Sequence, residues 1–229
     1  MENVLKKIID KKKEKIEIYK RDKSESKLLE DIKNIKNFVD LKKKIKTRNS
    51  EQKISIIAEI KERSPSAGLL VKDFNHLNIA KSYVENGASL LSVLTEENFF
   101  HGKLEYIKDI KNKYKIPILC KDFFIDTYQV TLAKSFGADC ILIILSAVDK
   151  FLAKDLYQAA NNLGISTLVE VHSENEAEMA LSGGDIVIAA QIPPVNAAAS
   201  TRNGVMILTR ARRMTTSMKR NGKTIASHP

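Results

Sequence analysis

Between residues 54 and 188, short and almost wholly apolar runs take turns with longer segments of helical period, and this alternation restricts the fold more than any other feature. The runs occupy 56–60, 90–94, 116–119, 140–145, 167–171 and 185–188. A strand with one wet face alternates apolar and polar residues, whereas a run apolar nearly throughout belongs to a strand covered on both faces, as in parallel sheets. Between the runs, Leu104, Ile107, Ile110 and Tyr114 form one apolar stripe, and Leu152, Leu156, Ala159 and Leu163 form another. Gly87, Gly137 and Gly164 each follow such a segment and precede the next run, where a left-handed helix end is wanted. The pattern predicts six βα units on a parallel sheet.

Closed barrels and open doubly wound sheets share this alternation. No G-x-G-x-x-G follows the first run, which weakens the dinucleotide-binding version. The length of 229 residues suits one α/β domain with appendages. Residues 1–50 are lysine-rich with Leu5, Ile8 and Ile9 on one helical face, and read as a helical extension packed outside the sheet. Residues 51–188 hold the βα units.

Residues 189–229 form an atypical basic tail. Up to residue 188 the basic residues are 28 Lys and 3 Arg; afterwards they are 5 Arg and 2 Lys, with no acid and three of the five prolines. Such a switch reads as a shifted reading frame or a replaced end, a naturally basic tail being the alternative, and predicts that 189–229 is poorly ordered or packed without a regular seventh and eighth strand.

The net charge of +10 raises the question of nucleic acid. Its distribution weighs against it: residues 1–50 carry 17 basic and 9 acidic groups, 51–188 carry 14 and 19, and 189–229 carry 7 and none. The body is acidic, and the lysine runs of the flank read as solvated helix faces. No run approaches the ~20 apolar residues that cross a bilayer, and the start MENVLKKIIDKKKEK lacks a signal-peptide core, so a cytoplasmic protein without membrane contact is expected. Cys120 and Cys140 lie in apolar runs without C-x-x-C spacing, and no histidine–carboxylate cluster has metal spacing; neither disulfide nor metal is expected.

Three charged side chains stand at the carboxyl ends of apolar runs: Glu59 in IIAEIK, Lys121 in IPILCKDF and Glu170 in TLVEVH. In a parallel barrel those ends converge on one mouth, where active sites are built. Glu59 and Lys61 are two residues apart and share a strand face, as do Glu170 and His172. Any one of them reads equally as a rim ion pair; three at equivalent positions point to a site.

The segment Ile57-Ala58-Glu59-Ile60-Lys61-Glu62-Arg63-Ser64-Pro65-Ser66 resembles the signature of indole-3-glycerol-phosphate synthases. LSVLTEENFFHGKLEYI at 91–107, PILCKDFFIDTYQV at 117–130 and LVEVHSENE at 168–176 are similar to that family's second, third and fifth strand regions, in order and spacing. The resemblance covers residues 1–188 and implies a (β/α)8 TIM barrel with an amino-terminal helical extension over the mouth. It also implies a ring-closing decarboxylation of a small sugar phosphate, 1-(2-carboxyphenylamino)-1-deoxyribulose 5-phosphate, with no cofactor, by a monomer or weak oligomer.

By the same resemblance Lys121 is the acid that neutralises the carbonyl oxygen during ring closure, Glu170 the base and Lys61 the acid of dehydration. Glu59 holds both lysines charged and oriented. Ser64 helps bind substrate, and Phe99 or Phe100 with Phe123 faces the aromatic ring, although packing explains each Phe equally well. His172 is not required by the family's mechanism and reads as a hydrogen-bonded rim histidine. His101 and Gly102 read as loop residues.

The resemblance fails after the sixth run. The family carries Asn-Asn-Arg where this chain reads Ile188-Ala189-Ala190-Gln191-Ile192. Lys223-Thr224-Ile225-Ala226-Ser227 resembles the seventh strand only weakly, and His228-Pro229 stand where a glutamate and a Ser-Gly phosphate grip belong. The barrel is therefore expected to be incomplete at strands seven and eight, with its phosphate binding largely lost. Two readings stay open beside a working lyase: an inactive remnant or interaction protein, and a sugar-phosphate isomerase on a related barrel, which the long signature disfavours.

Overall fold

The structure is a computed structural model and describes residues 2–36, 38–51, 55–182, 187–190 and 206–207. Its frame is a sheet of six parallel strands: β1 (Ile56–Ile60), β2 (Leu90–Leu94), β3 (Ile118–Lys121), β4 (Cys140–Ile144), β5 (Ser166–Val171) and β6 (Val187–Ala190). They lie side by side in chain order, every neighbouring pair parallel. A two-residue strand, Met206–Ile207, pairs antiparallel with the free edge of β1. Three helices, α1 (Glu2–Asp22), α2 (Glu25–Lys33) and α3 (Leu41–Ser50), precede the sheet; α4 (His76–Glu85), α5 (Glu105–Lys113), α6 (Tyr128–Ser135), α7 (Lys150–Asn162) and α8 (Glu174–Ser182) connect successive strands. This is the α/β architecture of a (β/α)8 barrel, with six of its strands among the described residues. The weak seventh-strand match at 223–227, and all of 189–229 except Ala189, Ala190, Met206 and Ile207, lie outside the described residues.

Why the runs are apolar throughout is plain from two separate cores. Ile57, Leu90, Leu119, Cys140, Leu142, Ile144 and Leu168 pack together on the concave side of the sheet. Their chain neighbours Ala58, Leu91, Ile118, Ile141, Ile143 and Val169 pack outward with residues from the helices. Successive strand side chains point to opposite faces, so both sets must be apolar when both faces are covered. Each fully buried Leu or Ile contributes roughly 1.5–3 kcal/mol by leaving water.

The third strand begins and ends two residues later than the apolar run implied. Pro117 has no N–H and only accepts, from Leu91 N at 3.0 Å. The strand then continues past the apolar residues to Lys121, whose side chain is on the inner face at the mouth. The sixth strand likewise runs through Ala189 and Ala190, so the change of composition at residue 188 falls inside a strand. Gly87, Gly137 and Gly164 have φ of 82°, 98° and 64°, the left-handed helix ends expected of them.

The amino-terminal helices close the structure at both ends. Leu41 and Ile45 of α3 join the inner core at its floor. Beside them Asp139, which precedes β4, accepts from Val39 N at 2.6 Å and Ile118 N at 2.8 Å while pairing with Lys111 at 2.9 Å. At the other end α1 crosses the carboxyl ends of the strands, with Ile8 and Ile16 buried beneath it. α2 packs outside on α6, where Thr131 Oγ1 donates to Glu25 at 2.7 Å. Tyr128 Oη donates to the carbonyls of Tyr19 and Lys23 at 2.9 and 2.8 Å, fixing the turn between α1 and α2.

Candidate active site

The inward positions at the carboxyl end of the sheet are where apolar filling gives way to charge. Following the inner face along β1, Ile57 is followed by Glu59; along β3, Leu119 by Lys121; along β5, Leu168 by Glu170. Period-two geometry therefore carries all three side chains into the mouth.

Glu59 is the centre of one cluster. Its Oε2 lies 2.9 Å from Lys61 Nζ, and its Oε1 lies 3.2 Å from Lys121 Nζ. The carboxylate is 12% exposed. Burial by itself raises its pKa, but the charges and hydrogen bonds of Lys121 and Lys61 together outweigh that and hold it below the ordinary glutamate value. One carboxylate thus fixes two ammonium groups, one at the end of β3 and one just after β1.

Lys121 and Glu170 line the same cavity of about 250 Å³, whose apolar walls include Leu5 of α1, Phe100, Phe123 and Leu142. Phe100 and Phe123 stand with ring centroids 6.2 Å apart and planes at 39°. Glu170 is met by His172, whose Nε2 lies 3.2 Å from its Oε1. Two wider hollows, about 390 and 420 Å³, lie outside the sheet around Glu25 and Thr127; neither touches the charged cluster.

Not every expected residue reaches the cavity wall. Ser64 sits in a small hairpin formed by Arg63–Ser64 and Gly68–Leu69, its Oγ accepting from Ala67 N at 3.2 Å. The backbone N–H of Phe99 donates to Glu96 at 2.7 Å, and its ring is not on the cavity. Lys61 joins the site through Glu59. The hairpin is held to the loop after β2 by Arg63, whose guanidinium is 3.2 Å from His101 Nε2.

Several residues that organise the mouth carry no chemistry-bearing signal in the sequence. Lys12 of α1 pairs with Asp122 at 2.7 Å, and Asp122 also accepts from Thr95 Oγ1 and Phe123 N, each at 2.8 Å. Glu96, wholly buried, accepts from the backbone N–H groups of Asn98, Phe99 and Phe100 and so shapes the loop that presents Phe100. Glu97 takes a hydrogen bond from Tyr19 and pairs with Lys15 at 2.7 Å. The sequence segments holding Asp122, Glu96 and Glu97 lay inside the quoted motifs. Lys12 lay in a lysine-rich helix where nothing local separates a buried lysine from a solvated one.

Among the described residues no group of three or more His, Cys, Asp or Glu is placed to hold a metal ion, and no helix is long and apolar enough to cross a membrane.

The family model for indole-3-glycerol phosphate synthase matches residues 5–197. Indole-3-glycerol phosphate synthase of Aliarcobacter butzleri (strain RM4018) is 43% identical over 165 residues, 66% of this chain and 63% of that protein. The same-named protein of Endomicrobium trichonymphae is 44% identical over 153 residues, 67% of this chain and 58% of that protein. Among solved structures, tryptophan synthase subunit alpha from Legionella pneumophila str. Paris is similar with a TM-score of 0.49 at 11% identity, covering 66% of each chain. The chain spans less than two thirds of the length of these two curated relatives. By a family match that covers most of its residues, the chain belongs to the indole-3-glycerol phosphate synthase family.

Proposed function

We propose that this chain closes the pyrrole ring of indole-3-glycerol phosphate, taking 1-(2-carboxyphenylamino)-1-deoxyribulose 5-phosphate to indole-3-glycerol phosphate, carbon dioxide and water. The observation that carries the proposal is the clamp of Glu59 on Lys61 and Lys121, set beside a cavity that holds Glu170 and two aromatic rings.

In this reading the aromatic carbon bearing the carboxylate attacks the ribulose carbonyl, and Lys121 delivers a proton to the oxygen as its charge develops. Loss of carbon dioxide returns the electron pair to the ring. The new hydroxyl then leaves as water with a proton from Lys61, while Glu170 takes the proton of the ring nitrogen. Glu59 keeps both lysines in place; Phe100 and Phe123 pack against the aromatic ring.

The test is to mix the purified chain with substrate and follow the indole absorbance and fluorescence, which differ from those of the starting amine. Product formation supports the proposal; a folded chain giving no indole signal overturns it. A second reading, a folded but non-catalytic relative, is favoured by Ile188-Ala189-Ala190-Gln191-Ile192 standing where the resemblance calls for Asn-Asn-Arg. A folded chain without product supports that reading.

A further inference from the structure

We infer that His172 relays the proton taken by Glu170 to solvent. The inference rests on the ring-closing reading above and deepens it. In that reaction two protons leave lysines and one arrives on Glu170, so each cycle takes up one proton net from water, and Glu170 must lose its proton before it can act as base again. Glu170 is poorly placed to do this directly, its side chain being 11% exposed at the inner wall of the mouth. His172 follows two residues later on the same strand face, 39% exposed, with Nε2 at 3.2 Å from Glu170 Oε1. It borders the same cavity as Glu170 and, among the described residues, is the histidine on that wall.

The far side of the imidazole is also organised. Nδ1 lies 3.8 Å from Glu176 Oε2, and the same carboxylate oxygen accepts from His172 N at 2.7 Å. Glu176 is itself fixed in the first turn of α8, where its N–H donates to Ser173 Oγ at 3.2 Å. The strand end, the turn and the helix start thus hold an imidazole between two carboxylates, with the imidazole the most exposed of the three. Among the described residues, the other charged side chains on the cavity, Lys121 and Asp122, are committed to Glu59 and Lys12.

The step is a proton transfer with no other bond changed. Protonated Glu170 passes its proton to the Nε2 lone pair of neutral His172, giving a carboxylate and an imidazolium. The imidazolium releases the Nδ1 proton to water or buffer base beside Glu176, and exchange of the remaining ring proton with solvent restores the first tautomer.

A histidine that merely props Glu170 is separable from one that carries its proton. His172→Gln keeps a hydrogen-bond donor near Glu170 but carries no proton, and should lower kcat roughly tenfold or more with little change in KM. In His172→Ala, imidazole buffer should restore turnover in proportion to its free-base concentration, at constant ionic strength, while a non-basic salt restores nothing. The parent chain is assayed alongside. An active parent with an unaffected His172→Gln, or an impaired His172→Ala that imidazole does not rescue, overturns the relay and leaves the ring-closing reading standing. An inactive folded parent overturns both.

Discussion

Lys12 Nζ of the first helix lies 2.7 Å from Asp122 Oδ1, immediately after the third strand, with the two side chains 5% and 9% exposed. Asp122 stands between Lys121 and Phe123, so this pair couples the amino-terminal extension to the residues beneath it. Removing one member of a buried ion pair leaves the other charge uncompensated, which costs about 3–5 kcal/mol. Lys12→Met should therefore lower unfolding stability by about that much in urea titrations, and adding Asp122→Asn should recover part of the loss. A Lys12→Met chain as stable as its parent would refute the coupling.

The same pair sets a pH dependence. Burial by itself lowers the Lys12 pKa, but the charge and hydrogen bond of Asp122, with the nearby charge of Glu96, outweigh it and raise the value above that of a free lysine. A group raised on folding contributes fully below its unfolded value, about 10.4, and loses that contribution as pH rises through the higher folded value. The stability gap between parent and Lys12→Met should stay level from neutral pH to about pH 10 and narrow above it. A gap that widens in alkali contradicts the assignment.

Gly102 closes the loop that presents Phe100. Its N–H donates to Glu96 O at 2.7 Å, and a Cβ on it would come within 2.3 Å of Leu94 O and 2.5 Å of Leu94 C. Both are backbone atoms of the second strand, so neither can rotate away. Gly102→Ala should cost roughly 1–3 kcal/mol of stability through overpacking and displace Phe100, raising KM as well. Unchanged thermal stability and KM would show that the strand and loop separate freely.

How far the sequence could be read depended on the range of the interaction. Glu59, Lys121 and Glu170 were readable because strand period alone brings inward positions to one rim. The helix stripes and the three positive-φ glycines were readable for the same local reason. Ile118–Lys121 was placed two residues early because a search for apolar residues stops at Leu119, although an inward lysine at a mouth is still strand. The partnership of Lys12 with Asp122 spans more than a hundred residues and leaves no periodic trace. The pairing of His172 with Glu170 follows from their two-residue spacing, whereas the approach of Glu176 to the far side of the imidazole leaves no such trace in the sequence.

Glu59 gives the opposite pH signature to Lys12. Although burial raises its pKa, the two lysines outweigh this and set the value below that of a free glutamate, so its contribution is present above about pH 4.3 and lost as pH falls through the lower folded value. Glu59→Gln should lose turnover at neutral pH because Lys61 and Lys121 then face each other without a counter-charge. Its stability deficit should disappear in acid. Equal deficits at pH 7 and in strong acid would exclude the clamp as its source.

Lys121 and Glu170 border one cavity from different strands, and the proposed chemistry assigns them to different steps, so their variants should fail differently. Lys121→Met removes the acid needed for carbon–carbon bond formation, which precedes decarboxylation; carbon dioxide release and indole formation should fall together. A positioned acid or base is typically worth ~10²- to 10⁴-fold in rate, and losses of that size should appear in kcat. Stability should change little, because Lys121 is at the solvent-facing mouth and Glu59 keeps Lys61 at 2.9 Å. Glu170→Gln leaves the first acid in place and removes the base of dehydration. Carbon dioxide should then appear in a burst of about one equivalent per site, followed by slow indole formation. Measuring both products on a stopped-flow time scale separates the two roles. If Glu170→Gln loses both signals in parallel, with no burst, Glu170 acts before decarboxylation and the division of labour between the two residues is wrong.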